Sequence, residues 1–165
     1  MVRLDYRLSP KWISKAPHVD FGTITRFALD TSIFSGDQVF VVNSADFSFI
    51  DLNIPLLEYA RSLFTAVQSV SHGMPRASFH PLDEDADTIF DRFGETIRIR
   101  SSITNAVVYC GLNELVDAVD VYCSKLLSDF LALYPDARGN RALKDYFHVS
   151  QLDLGHLFTL LPPES

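Results

Sequence analysis

Two long segments in which apolar residues recur at helical spacing constrain the fold of this chain most strongly. In residues 54–70 apolar side chains recur every three or four positions, while charged and hydroxyl side chains fill the opposite side. Asn53 is suited to cap this helix, and Pro55 to its first turn, where a missing N–H costs nothing. Residues 112–134 repeat the same spacing up to Pro135. The sequence therefore predicts two main amphipathic helices.

Other segments show the two-residue alternation of β-strands. Residues 21–30 alternate from Phe21 onward, residues 38–43 form a β-branched apolar run, and the turn-forming residues 35–37 would join the two segments as a hairpin. Four more strands, which form a meander, are predicted at residues 76–80, 88–93, 95–101 and 106–110.

The third meander segment alternates between apolar and basic residues. Ile97 and Ile99 take one side and Arg98 and Arg100 the other, so we expect the two arginines on the solvent face of the sheet. Both main helices are expected to pack on one sheet. The predicted fold class is α+β, an antiparallel β-sheet made of a hairpin plus a meander and packed against two main amphipathic helices.

The length of 165 residues fits one domain, and a hydrophobic content of 47% can supply its core. We expect a single α+β domain over residues 1–165, in which residues 1–19 and 162–165 are loosely ordered. Shorter helices are predicted at residues 141–147 and 151–161.

Cysteine usage, charge and the N-terminal sequence indicate a cytoplasmic protein. The first residues lack the continuous apolar core of a secretory signal, and no apolar run approaches the roughly 20 residues that span a bilayer. Cys110 and Cys123 have no zinc-type spacing and are expected as buried, reduced thiols. A net charge of −7 opposes contact with nucleic acid phosphates and anionic lipids. We therefore expect no nucleic acid and no membrane among its partners.

No short motif of phosphate, dinucleotide, acyl-transfer or zinc-protease chemistry occurs in the sequence. Cys110 is predicted where a strand meets the second main helix, whose dipole would lower the thiol pKa, but no histidine is assigned near it. The five histidines are spread along the chain without a familiar ligand spacing. The sequence accordingly predicts no catalytic residue, no metal and no cofactor.

An acidic cluster follows the first meander strand and comprises Asp83, Glu84, Asp85, Asp87 and Asp91. A divalent cation takes several oxygen ligands, but a calcium loop needs a glycine at its sharp turn, which residues 83–87 lack. We therefore interpret the cluster as a solvated acidic loop. A second acidic edge follows the second main helix and includes Asp117 and Asp120.

The order strand, strand, helix, meander, long helix over residues 21–147 resembles that of bacterial immunity proteins, which neutralise contact-dependent or other polymorphic toxins. The resemblance rests on this layout and on the strand-to-helix passage at residues 106–134, where Asn113 and Glu114 open an acidic helix. It implies a stoichiometric inhibitor whose acidic surface docks on the C-terminal domain of a cognate cationic toxin, often a nuclease. The expected charge contacts are Asp83, Glu84, Asp85, Asp87, Asp117 and Asp120.

Two other functions stay open alongside this one. A small enzyme or ligand-binding domain would need a pocket between sheet and long helix, with an aromatic lining of Phe79, Phe90, Tyr109 and Tyr122. The same aromatic side chains would also suit a core. A structural subunit would instead dimerise through the apolar residues 152–161. A deep polar-lined pocket favours the first alternative, an exposed apolar C-terminal stripe the second, and a flat acidic face the immunity function.

Overall fold

The structure is a computed structural model that describes residues 1–80 and 87–149, and of residues 146–149 it describes only the backbone. Its strands are β1 Val2–Leu8, β2 Ser35–Val42, β3 Ala45–Asp46, β4 Phe49–Pro55, β5 Arg76–Phe79, β6 Thr88–Phe93, β7 Thr96–Ser101 and β8 Val107–Gly111. Its α-helices are α1 Pro10–Lys15, α2 Arg26–Thr31, α3 Leu56–Ser71, α4 Leu112–Leu133 and α5 Arg141–Val149. Short 3-10 helices cover Ala16–His18 and Pro135–Gly139.

The predicted α+β class is confirmed, but the strands form two antiparallel sheets instead of one. In the first sheet β2 pairs with β1 on one side and with β3 and β4 on the other. The second sheet is the predicted meander, in the order β5-β6-β7-β8. Helix α3 packs on β5 and β6 and also contacts β2, β4 and α4, whereas α4 packs mainly on α3 and β1. Because α4 also contacts β8, each main helix contacts both sheets, and the single sheet of the prediction is replaced by two.

The predicted strand at residues 21–30 is also wrong, because this segment contains a turn followed by helix α2. Thr25 caps the helix, and its hydroxyl oxygen accepts a hydrogen bond from the Ala28 amide at 3.3 Å. Phe21, Ile24 and Leu29 are buried while Phe27 is 75% exposed, so burial does not follow a two-residue period. The predicted hairpin consequently does not form, and β2 pairs with β1.

The N-terminal segment, expected to be loosely ordered, supplies the missing strand. β1 is in register with β2 from Val2 opposite Val42 to Leu8 opposite Gly36. Ser9 then caps α1 by accepting a hydrogen bond from the amide of Trp12, whose buried indole donates to the Tyr134 hydroxyl at 3.0 Å. The predicted tail at residues 162–165 and the predicted helix at 151–161 lie outside the described residues.

Helix α3 begins two residues later than predicted, because Ile54 and Pro55 complete strand β4. Asn53 does not cap the helix: it adopts a left-handed conformation with φ of 50° inside β4, and the capping position falls on Pro55 without a side-chain hydrogen bond. The ends of α4 and of all four meander strands agree with the sequence to within one or two residues, whereas β2 begins three residues earlier than predicted.

The core lies between the sheets, where α3 and α4 bury their apolar stripes. Tyr122 on α4 reaches β2 and donates a hydrogen bond to the buried Gln38 side chain. Cys110 and Cys123 are both buried and free, which confirms the prediction of unbridged thiols.

Candidate functional site

The outer face of the meander brings together three arginine side chains and two aromatic side chains. The register places Arg76, Asp91, Arg98 and Tyr109 in one row across the four strands, because each is directly opposite the next. Side chains two positions along each strand share this side. We call this surface the meander face, and it comprises Arg76, Ser78, Ile89, Asp91, Phe93, Thr96, Arg98, Arg100, Val107 and Tyr109.

The opposite side of the meander belongs to the core. Its side chains, which alternate with those of the meander face, are nearly inaccessible: Phe79, Phe90, Ile97, Ile99 and Cys110. A sheet that is apolar on one side only packs that side and leaves the other to water. The orientation of the meander face is therefore set by the apolar alternation, and the predicted placement of Arg98 and Arg100 on it is confirmed.

Asp91 is the centre of the meander face. Its side chain is only 5% exposed, because three guanidinium groups cover it. Arg76 donates from Nε to Oδ1 at 2.5 Å, Arg98 donates from Nε and Nη2 to Oδ2 at 3.1 and 2.9 Å, and Arg100 donates from Nε to Oδ2 at 3.1 Å. The arginines thus come from two strands that flank β6 and meet on one carboxylate.

Burial alone would raise the pKa of Asp91, but the hydrogen bonds from Arg76 and Arg98 and the nearby Arg100 charge outweigh it and lower the pKa. Asp91 is accordingly ionised at neutral pH, with its lone pairs occupied by guanidinium donors. A carboxylate in that state is a poor proton acceptor, so it is unsuited to general base catalysis. Its effect is to fix the three arginines in place.

Aromatic and aliphatic side chains border the arginines. Phe93 is 55% exposed and Tyr109 53% exposed, and Val107 is also exposed on the edge strand β8. The Arg98 guanidinium lies 5.3 Å from the centroid of the Phe93 ring and is hydrogen-bonded to the Tyr109 side chain. The meander face therefore combines three positive charges, one carboxylate that compensates one of them, and exposed rings on one side of a sheet.

The residues predicted as partner contacts do not form one surface, because Asp117 and Asp120 lie on α4 whereas Asp87 precedes β6. Asp117 and Asp120 lie one turn apart on α4 and are exposed, and we call this pair the acidic helix face. Burial, and next the charge of Asp117, raise the pKa of Asp120, although a hydrogen bond with Gln68 opposes the shift. The two carboxylates therefore repel each other and create a local negative field.

Asp87 does not join the acidic helix face. Asp87 directly precedes β6, at the end of the meander where Thr88 pairs with Ser101. Helix α4 begins at the opposite end of the meander, where Gly111 pairs with Thr96. The Asp87 carboxylate also lies 2.5 Å from Nδ1 of His80. Asp83, Glu84 and Asp85 lie outside the described residues. Asp91, assigned to the solvated acidic loop from the sequence, is instead buried among arginines, and that interpretation is wrong for this residue.

The aromatic lining proposed for a pocket between sheet and helix does not form one. Phe79, Phe90 and Tyr122 are buried in the core, and Tyr109 points to the opposite side of the meander. A cleft of about 620 Å³ opens elsewhere, between the α1 region and the end of α4. Its lining is Leu8, Ile13, Ala16, Pro17, Val19, Phe21, Leu133, Tyr134, Pro135 and Asp136.

Cys110, the nucleophile considered from the sequence, lies on the core side of β8. Burial and then the charge of Glu114 raise its pKa to about 11, so the thiol stays protonated at neutral pH. Burial also raises the pKa of Cys123. Neither thiol has the lowered pKa of a reactive cysteine.

Within the described residues, no group of three or more His, Cys, Asp or Glu side chains is arranged to hold a metal ion. No helix in the same part of the chain is long and apolar enough to cross a membrane. Comparisons with protein-family models, curated proteins and solved structures gave no match.

Proposed function

We propose that this protein is a stoichiometric inhibitor of the immunity type, which binds and neutralises a cationic toxin domain in the cytoplasm. The observation that carries the proposal is the acidic helix face, where Asp117 and Asp120 are exposed side by side on a rigid helix of a chain with net charge −7. In this proposal neither nucleic acid nor membrane is a partner, because both are anionic.

The mechanism is occlusion guided by charge. A negative surface accelerates the encounter with a basic domain and orients it, whereas a few buried anchors supply most of the affinity. A toxin that acts on an anionic substrate needs a basic groove, and an acidic protein seated in that groove excludes the substrate. The loop residues Asp83, Glu84, Asp85 and Asp87 are proposed as additional contacts.

Where the reading frame directly upstream encodes a large secreted protein with a variable C-terminal domain, that domain is the partner for the test. Stopped-flow association at low and high salt would compare the wild type with the variant Asp117→Lys/Asp120→Lys. We expect association to slow about tenfold or more at low salt, and the deficit to shrink at high salt, because ions screen charges beyond about 10 Å at 0.1 M.

A matched control carries the same change in charge on another surface. Asp5→Lys/Asp46→Lys alters two exposed carboxylates that the β1–β2–β3 register places on the same side of the first sheet, away from α4. Thermal melts of both variants establish that each is folded. Equal association rates for the two variants would contradict the role of the acidic helix face. Absence of binding between the wild type and the upstream domain would contradict the inhibitor function itself.

Binding of an apolar small molecule is a second candidate function, and the cleft near α1 favours it. Its volume of about 620 Å³ falls in the range typical of ligand pockets, and its lining is mostly apolar. The Tyr134 hydroxyl at its edge already accepts a hydrogen bond from Trp12. A fluorescent naphthalene sulfonate probe should bind the wild type and be lost in Leu133→Gln, since Leu133 is an exposed lining residue and a neutral amide does not attract the sulfonate. Unchanged probe fluorescence in this variant would contradict the cleft as a ligand site.

A further inference from the structure

We propose that the meander face is a second docking surface, specific for an acidic segment of a protein partner that presents carboxylates beside apolar or aromatic side chains. This surface is distinct from the acidic helix face, and the proposal does not depend on the inhibitor function.

The charge of the meander face is opposite to that of the whole chain. Arg76, Arg98 and Arg100 bring three positive charges to the single negative charge of Asp91, in a protein whose net charge is −7. Two positive charges are left over at this place. These surplus charges suit a ligand that carries carboxylates, because a guanidinium group binds a carboxylate through two parallel hydrogen bonds.

Preorganisation of the arginines strengthens this interpretation. Asp91 accepts hydrogen bonds from all three side chains, which removes much of the rotamer freedom that a free arginine would lose on binding. The guanidinium groups retain accessible area, since the Arg76 side chain is 61% exposed and those of Arg98 and Arg100 are about one third exposed. Each carries more N–H donors than Asp91 accepts.

The surroundings of the arginines indicate which kind of anion fits. Phe93, Val107 and Tyr109 are exposed on the same side of the sheet, and aromatic residues together with arginine are typical of the central part of protein interfaces. The outer side of a sheet offers a small ion little enclosure, and a long polyanion such as nucleic acid would extend beyond the three arginines over a chain of net charge −7. A short acidic segment with apolar side chains satisfies both the charges and the rings.

The test uses fluorescence anisotropy of the full chain with three labelled probes. These are a random copolymer of glutamate and tyrosine, polyglutamate of similar length, and a thymidine oligonucleotide. We expect the copolymer to bind most tightly, polyglutamate more weakly and the oligonucleotide weakest. Tighter binding of the oligonucleotide than of both polypeptides would overturn the assignment in favour of a nucleic acid site.

Two variants separate the charges from the rings. Arg76→Gln/Arg100→Gln keeps Arg98 on Asp91, and should weaken binding of both polypeptides about tenfold at low salt. Phe93→Ser/Val107→Ser should weaken binding of the copolymer but leave that of polyglutamate unchanged. Thermal melts establish that both variants are folded.

The matched control is Arg3→Gln/Arg26→Gln, which removes the same charge from two exposed arginines outside the meander. It should bind both polypeptides as the wild type does. A loss of binding in this control equal to that of Arg76→Gln/Arg100→Gln, or no binding of the copolymer to the wild type, would overturn the proposal. In the ¹⁵N spectrum of the wild type, the Nε–H signals of Arg76 and Arg100 should shift on addition of the copolymer. If these signals do not shift when the protein is saturated with the copolymer, docking at the meander face is contradicted.

Discussion

The meander face and the acidic helix face are both exposed and charged, but they are built in different ways. In the meander face, side chains from neighbouring strands converge on the buried carboxylate of Asp91, and strand register fixes their spacing. In the acidic helix face, Asp117 and Asp120 project from one helix and repel each other. The first surface is a network whose charges stabilise the fold, whereas the second carries an unbalanced charge at a small cost to the fold.

This difference decides how each surface responds to change. Removal of the central member of a compensated network leaves its partners without a counter-charge, so the loss spreads to residues on other strands. Removal of one member of a repelling pair relieves the other. The two surfaces should therefore respond to the same Asp-to-Asn substitution with opposite signs.

Asp91→Asn is expected to have the largest effect, a loss of about 2 kcal/mol in the free energy of unfolding at pH 7. The amide keeps the size of the side chain but removes the charge that holds three guanidinium groups together. Urea unfolding followed by circular dichroism measures the change.

The pH dependence of this loss follows from the lowered pKa of Asp91. Because the folded-state pKa lies below the ordinary value of about 3.9, the ion pairs stabilise the fold above that pH and lose their effect as pH falls further. The difference between wild type and Asp91→Asn should therefore be constant from pH 5 to 7 and shrink towards pH 3. A difference that stays the same at pH 3 would show that lost packing, not lost charge, is responsible.

Tyr6→Phe should have an intermediate effect, because it removes a contact that anchors α4 to the first sheet. The Tyr6 hydroxyl donates to Asp129 at 2.7 Å, and Lys125 donates to the same carboxylate at 2.8 Å. Loss of this hydrogen bond should cost about 1 kcal/mol, or a fall of about 2–4 °C in Tm. Tyr109→Phe is the comparison at an exposed position: its hydrogen bond to Arg98 is open to water and should contribute less, and an equal fall in both variants would contradict the anchoring role of Tyr6.

The sequence was sufficient to predict α3, α4 and the meander because each has a long, uniform period. The meander strands agreed closely with prediction, since Ile97 and Ile99 alternate with arginines and Gly94 permits the left-handed turn between β6 and β7. Of the first sheet only β2 was predicted, for two reasons. Residues 21–30 alternate in sequence, but the Thr25 cap favours a helix. Val2, Leu4 and Tyr6 alternate with charged residues as a half-buried strand requires, but this segment was interpreted only as lacking a secretory signal.

The sequence predicted the positions of Arg98 and Arg100 in the arginine network of the meander face, but not their pairing with Asp91. The alternation placed Arg98 and Arg100 on the outer side, but pairing with Asp91 depends on the register of β6 against β7, which the alternation alone does not determine. Asp91 also follows several acidic residues, so composition assigned it to a loop. The turn at Gly94 offered the missing signal: a tight turn there sets Phe93 opposite Thr96, and hence Asp91 opposite Arg98.

Asp117→Asn/Asp120→Asn should have the smallest effect, and one of opposite sign. Burial and the charge of Asp117 raise the pKa of Asp120, so its ionised form is disfavoured in the folded state. A carboxyl group with a raised folded-state pKa stabilises the fold fully below about pH 3.9, and loses this contribution as pH rises through the folded-state value. At pH 7 the double amide variant should therefore be more stable than the wild type by a few tenths of a kcal/mol, because both positions are exposed.

The comparison with Asp91→Asn is the control for this small gain, since it applies the same chemical change to the other surface. Stability of the double variant measured by urea unfolding at pH 7 and pH 3 should exceed that of the wild type only at the higher pH. The gain should also shrink in high salt, because screening weakens the repulsion between Asp117 and Asp120. If the double variant is destabilised at pH 7, these carboxylates make stabilising contacts. The acidic helix face would then stabilise α4, as the Asp129 contact with Tyr6 does, and its charge would not be evidence for a partner-binding surface.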